Sequence, residues 1–72
     1  MIKEVKDIPN LSLMAKSSLI SNGYKTLEDI NKAGYYKIFS LRCFKKTIKN
    51  MKIITEIMRT NGYPHWGEIK DI

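Results

Sequence analysis

Three glycines divide this chain into helical stretches too short for anything but a small bundle. Gly23 follows Asn22, Gly34 follows Ala33 and Gly62 follows Asn61. Each stands where a helical pattern stops, the place for a residue that closes the last turn with a positive φ. Pro64, two residues past Gly62, marks the last stop a second time. Two of the stops read Asn-Gly-Tyr, at 22–24 and 61–63. In both, the tyrosine falls just past the glycine, where its ring can fold back on the helix it leaves.

The starts are as readable as the stops. Ser12 precedes Leu13, Met14, Ala15, Leu19 and Ile20 and can cap them. Thr26 opens Thr-Leu-Glu-Asp, close to a capping box with Asp29 at the third helical position. Thr47 stands as the cap before Ile48, Met51, Ile54, Ile57 and Met58, one apolar stripe at spacings of three and four. These signals predict an extended lead-in over 1–9 and helices at about Leu13–Ser21 and Leu27–Ala33. They also predict a short helix at Tyr35–Leu41 and the longest at Ile48–Asn61. The tail from Pro64 is expected to form one turn that docks Trp66. No run shows the strict alternation of a strand.

The expected architecture is all-α: a small four-to-five-helix domain with helix-hairpin-helix-like packing. It is one domain over 1–72, with its core within about 8–69. With 72 residues the chain buries only ~60% of the surface it exposes when unfolded. The expected core is Ile8, Leu11, Met14, Leu19, Ile20, Leu27, Ile30, Ile38, Leu41, Ile48, Met51, Ile54, Ile57, Met58 and Trp66. So thin a core leaves little room for a deep cleft, which weighs against a small-molecule substrate and against an enzyme.

The segment Ile8-Pro9-Asn10-Leu11-Ser12 precedes the first helix in the form of a helix-hairpin-helix turn. In such a turn backbone N–H groups point outward at a helix N-terminus, where a phosphate can sit. The two positions that favour glycine hold Asn10 and Ser12. One reading is a phosphate cradle; the other is that Pro9 and Asn10 make a turn and Ser12 caps a helix. Asn tolerates the left-handed region, so the turn survives its substitution.

From here the sequence resembles the C-terminal domain of the TfoX/Sxy competence regulators over about residues 8–69. The residues that carry the likeness are Ile8-Pro9-Asn10-Leu11, Leu19, Gly23-Tyr24, Thr26, Asp29-Ile30, Gly34, Gly62 and His65-Trp66. Ser12, Met14 and Tyr35 stand where that pattern has Gly, Lys and Ala. The resemblance implies a stand-alone bacterial regulatory domain that contacts DNA or transcription proteins. A weaker likeness links the chain to the C-terminal domain of the RNA polymerase α subunit. There, Phe44-Lys45-Lys46-Thr47-Ile48 matches the start of the last long helix, with Phe44 in place of a Gly.

Charge points the same way. The chain carries 13 basic residues against 7 acidic ones, a net +6. Between Ile30 and Thr55 there is no acid, while Lys32, Lys37, Arg42, Lys45, Lys46, Lys49 and Lys52 all fall in that stretch. Lys45, Lys49 and Lys52, spaced four and three apart, read as a ridge near one face of the long helix. Such a ridge suits DNA or RNA, an acidic protein partner or self-association, or it serves solubility alone. Arg42, Lys45, Lys46, Lys49 and Lys52 are the candidate nucleic-acid contacts; Pro9, Asn10, Leu11 and Ser12 are the hairpin.

The isolated chemical residues carry less. His65 has no nucleophile or carboxylate beside it beyond Glu68, so it reads as a packing or surface hydrogen-bonding residue. Trp66 reads as a hydrophobic lock and Cys43 as an inert buried thiol. One cysteine forms no internal disulfide. No metal-ligand spacing, P-loop or GxGxxG occurs, and no cofactor is expected. The charged N-terminus does not read as a signal peptide, and no run has the ~20 apolar residues of a membrane span. The expected setting is cytoplasmic, with no membrane and no small-molecule substrate.

Overall fold

In a computed structural model, which describes residues 2–68, five α-helices wrap one core. They are α1 (Leu13–Ser21), α2 (Leu27–Ala33), α3 (Tyr35–Phe39), α4 (Arg42–Lys46) and α5 (Ile48–Thr60). Two 3₁₀ turns, Val5–Asp7 and Pro64–Glu68, flank them. The all-α class and the bounds of α1 and α2 agree with the sequence reading.

Local chemistry sets the helix ends. The Ser12 Oγ accepts the Ala15 N–H at 3.2 Å, one of the first-turn donors a helix leaves unsatisfied. Thr26 and Asp29 complete a reciprocal capping box. At the end of α1, the Tyr24 N–H reaches the Leu19 carbonyl and the Gly23 N–H the Ile20 carbonyl. That is a Schellman closure, and Gly23 meets its positive φ, at 89°, without a Cβ penalty. At the end of α5, Tyr63 reaches back to the Met58 carbonyl in the same way.

The first residues are more structured than an extended lead-in. Val5–Asp7 form a turn that buries Val5, and the strand-like stretch before it is stitched to the loop ahead of α2. The Val5 N–H bonds the Lys25 carbonyl and the Leu27 N–H the Lys3 carbonyl, both at 2.9 Å. The Ile2 N–H donates to Asn61 Oδ1, which joins this edge to the end of α5.

Between 35 and 47 the structure departs from expectation. The short helix ends at Phe39, not Leu41, and a further helix, α4, follows. Its anchor is Phe44, fully buried, which the expected core omitted. Thr47 then adopts an extended backbone (φ −133°, ψ 94°) and makes no side-chain cap. Lys45 therefore lies on α4, while Lys49 and Lys52 lie on α5. The three lysines do not share a helix, because spacing has no rotational meaning across the break.

The core gathers Val5, Ile8, Leu11, Ala15, Leu19, Leu27, Ile30, Tyr35, Ile38, Phe44, Met51, Ile54, Met58 and Trp66. Met14, Ile20 and Ile48, expected inside, are exposed. Leu41 and Ile57 are half-buried on its margin. On α1 the buried pair is Ala15 and Leu19, one turn apart, which turns Met14 and Ile20 outward. Cys43, expected buried, is half-buried and free. The described part of the tail, Pro64–Glu68, does dock, while residues 69–72 lie outside the described residues: Trp66 is 1% exposed, its Nε1 donates to Asn31 Oδ1 at 3.0 Å, and His65 Nε2 meets the same oxygen at 2.9 Å.

A candidate nucleic-acid interface

The hairpin segment is a turn that seats α1. Ile8 and Leu11 are buried and hold the turn to the core, while Pro9 and Asn10 stand out of it. Asn10 takes φ 66°, the left-handed conformation in which an Asn replaces Gly at modest cost. The Ser12 oxygen is engaged by the Ala15 amide and lies 3.5 Å from Asn50 Nδ2. Asn50 is a buried polar residue of α5, 8% exposed, that the sequence reading passed over. Its contact with Ser12 joins the start of α1 to the first turn of α5. Nothing in its sequence context distinguishes it; only the approach of the Ser12 cap to α5 does.

The turn and the lysines of α5 meet. Pro9, Asn10, Lys49 and Lys52 line a cavity of about 300 Å³ whose floor is Ile53 and Ile57. Glu56 also borders it, and its carboxylate is held by the Arg59 guanidinium. That hydrogen bond, with the charge of Arg59, lowers the Glu56 pKa and raises that of Arg59. Two of the four hairpin residues and two of the five candidate cations thus share one depression, which Ile53 and Ile57 line with apolar surface and Glu56 borders.

The remaining cations sit close by in sequence. Arg42 begins α4, and Lys45 and Lys46 end it, where cations oppose the negative end of the helix dipole. Lys49 occupies the first turn of α5, the positive end of that dipole, with no acid in that turn and no cap from Thr47. Lys45, Lys46 and Lys49 thus lie within three residues of Ile48, where α5 starts without a side-chain cap. Among the described residues, the ion pairs join Glu4 to Lys6, Glu28 to Lys32 and Glu56 to Arg59. None involves Arg42, Lys45, Lys46, Lys49 or Lys52, and all five are exposed.

A second cavity, about 430 Å³, lies at the start of α2 between Ile2, Lys3, Leu27, Glu28, Asn61 and Tyr63. Its charged residues, Lys3 and Glu28, are exposed and do not pair with each other. Among the described residues no three of His, Cys, Asp and Glu gather to hold a metal ion. None of the described helices is long and apolar enough to cross a membrane. In comparisons with known proteins, no family model, no curated protein and no solved structure matches the chain.

Proposed function

We propose that this domain is a non-catalytic module that grips the phosphate backbone of duplex DNA through the basic face of α4, α5 and the Pro9–Asn10 turn. The observation that carries the reading is the set of five exposed cations without described ion pairs on α4 and the first two turns of α5, whose start has no side-chain cap. A lysine in the first turn of a helix costs the fold roughly 0.3–1 kcal/mol against the dipole. An anion bound there reverses that sign. The hairpin contributes position: it sets Asn10 beside Lys49 and Lys52. Because Ser12 already caps α1, the lysines carry the charge.

The resemblance to the TfoX C-terminal domain supports this reading and extends it to transcription regulation in a reducing bacterial cytoplasm. Contacts to the backbone alone read no base sequence, so the module is proposed as a non-specific or architectural contact. The apolar floor of Ile53 and Ile57 favours a second reading, an acidic protein segment seated between Lys49 and Lys52.

Fluorescence polarisation with random duplex DNA at ~50 mM salt tests the proposal. The affinity is expected to fall with salt by about 0.9 log units per decade for each phosphate neutralised. Reversing Lys45, Lys49 and Lys52 to Glu removes the binding while circular dichroism stays unchanged. Affinity indifferent to that triple reversal refutes the basic face. No DNA binding at low salt, with retention on an acidic peptide, moves the assignment to the protein partner.

A further inference from the structure

The depression beside the Pro9–Asn10 turn holds one acid among its cations. Glu56 borders it together with Lys49 and Lys52. On α5, Lys52 and Glu56 stand four residues apart, the spacing at which opposite charges meet on a helix surface. Among the described residues, no ion pair joins them. Glu56 turns instead to Arg59, which grips both of its carboxylate oxygens: Nε donates to Oε2 at 3.2 Å and Nη2 donates to Oε1. Two features favour that choice. A guanidinium offers a carboxylate two parallel donors, which an ammonium does not. The acid also precedes the base in Glu56–Arg59 but follows it in Lys52–Glu56, and the first order is the better one on a helix. The docked tail confines the stem of Arg59 as well. Gly67 follows the buried Trp66, and a Cβ placed on it would come within 2.5 Å of Arg59 Cδ and 3.0 Å of Cγ. The backbone at Gly67 thus lies against the arginine stem, with no room for a side chain between them.

We infer that Arg59 is a positioning residue of the basic face: by holding Glu56 it keeps Lys52 free to meet an anion. Without Arg59, Glu56 is left to swing one turn back to Lys52, and one of the two cations bordering the depression is cancelled. Arg59 stands seven residues from Lys52, roughly 10 Å along the helix, and its guanidinium is already engaged. Its effect therefore passes through Glu56 and not through a contact of its own. The consequence for DNA rests on the binding role proposed for this face; the exchange of partners does not.

NMR of the lysine side-chain nitrogens follows that exchange with no ligand present. Arg59→Ala is expected to move the Lys52 resonance. In a Glu56→Gln background the same substitution is expected to leave it where Glu56→Gln alone puts it. Gly67→Ala, which alters no charge, is expected to move it in the same direction as Arg59→Ala, by displacing the arginine stem. Fluorescence polarisation with random duplex DNA at ~100 mM salt, where the screening length is ~10 Å, follows the consequence. Arg59→Ala is expected to lower the affinity about 3–5-fold, the upper range for one exposed ion pair, and Glu56→Gln to raise it by a similar factor. In the Glu56→Gln background, loss of Arg59 is expected to cost nothing further. Circular dichroism is expected to stay unchanged throughout, since all of these side chains are exposed. A Lys52 resonance indifferent to Arg59→Ala overturns the inference. So does an equal loss of affinity on Arg59→Ala in both backgrounds, which would make Arg59 a DNA contact itself. If no variant binds DNA while the Lys52 resonance moves as expected, the DNA reading fails and the hold of Arg59 on Glu56 stands.

Discussion

Replacing Asn31 with Ala tests what holds the C-terminal segment to the body. Trp66 is 1% exposed, and its indole N–H has one described partner, Asn31 Oδ1 at 3.0 Å. An indole nitrogen only donates, so the Asn31 atom facing it is the oxygen, and His65 Nε2 must donate to that oxygen too. Removing the amide strands a buried donor, which costs about 1–3 kcal/mol. A 72-residue domain has roughly 4–11 kcal/mol in all. At about 4–8 °C per kcal/mol, the melting temperature drops by roughly 5–20 °C. Thermal unfolding followed by circular dichroism measures it, in a cycle with Trp66→Phe. A phenyl ring has no N–H to strand, so in that background Asn31→Ala is expected to cost only the exposed His65 bond, under ~1 kcal/mol. Equal costs in the two backgrounds refute the reasoning. They would mean that the described part of the tail is held by ring packing, such as that of Trp66 on Tyr35, with ring centroids 6.2 Å apart.

Three shorter tests address other links. Phe44→Ala empties the anchor of α4 and is expected to cost about 3–5 kcal/mol, read as a fall in the urea midpoint. Asn10→Gly is expected to match or exceed wild-type stability while Asn10→Val loses about 1–2 kcal/mol, because φ is 66° there. The Thr26 side chain, then its backbone N–H, lowers the Asp29 pKa from its ordinary 3.8. A lowered folded value stabilises the fold above the unfolded pKa, and that contribution is lost as pH falls through the folded one. Asp29→Asn is therefore expected to lower the melting temperature near neutral pH, with the gap to wild type closing in acid below that range.

Helix ends were legible because their causes are local. A serine two residues past an Asn turn, a Thr-x-x-Asp box and two Asn-Gly-Tyr stops each close their own backbone bonds, whatever packs beside them. Core membership on α1 was not legible. Leu13-Met14-Ala15-Lys16-Ser17-Ser18-Leu19-Ile20 is apolar on every side, so the buried face is chosen by its neighbours and not by its pattern. The choice fell on the smallest side chain, Ala15, with Leu19. α4 was hidden for a related reason. Five residues are too few to show a period, and a helix this short exists through the burial of Phe44. At the candidate site the sequence showed which cations gather but not how. The extended Thr47 bends what spacing alone draws as one straight ridge.

That bend gives the lysines different electrostatic surroundings, and the difference separates a charge that serves the fold from one that serves a partner. Lys45 and Lys46 lie in the last turn of α4, where the helix dipole welcomes them; Lys49 lies in the first turn of α5, where the dipole opposes it. Lys45→Glu is therefore expected to weaken both the fold and DNA binding. Lys49→Glu is expected to stabilise the fold by about 0.3–1 kcal/mol and still weaken DNA binding. The two readouts, unfolding midpoint and low-salt affinity, move together for the first residue and apart for the second. A solubility role predicts no fall in affinity for either. Lys49→Glu that stabilises the domain and leaves DNA affinity intact would remove the start of α5 from the interface. The Arg42 and Lys45–Lys46 side of α4 would then carry whatever binding remained.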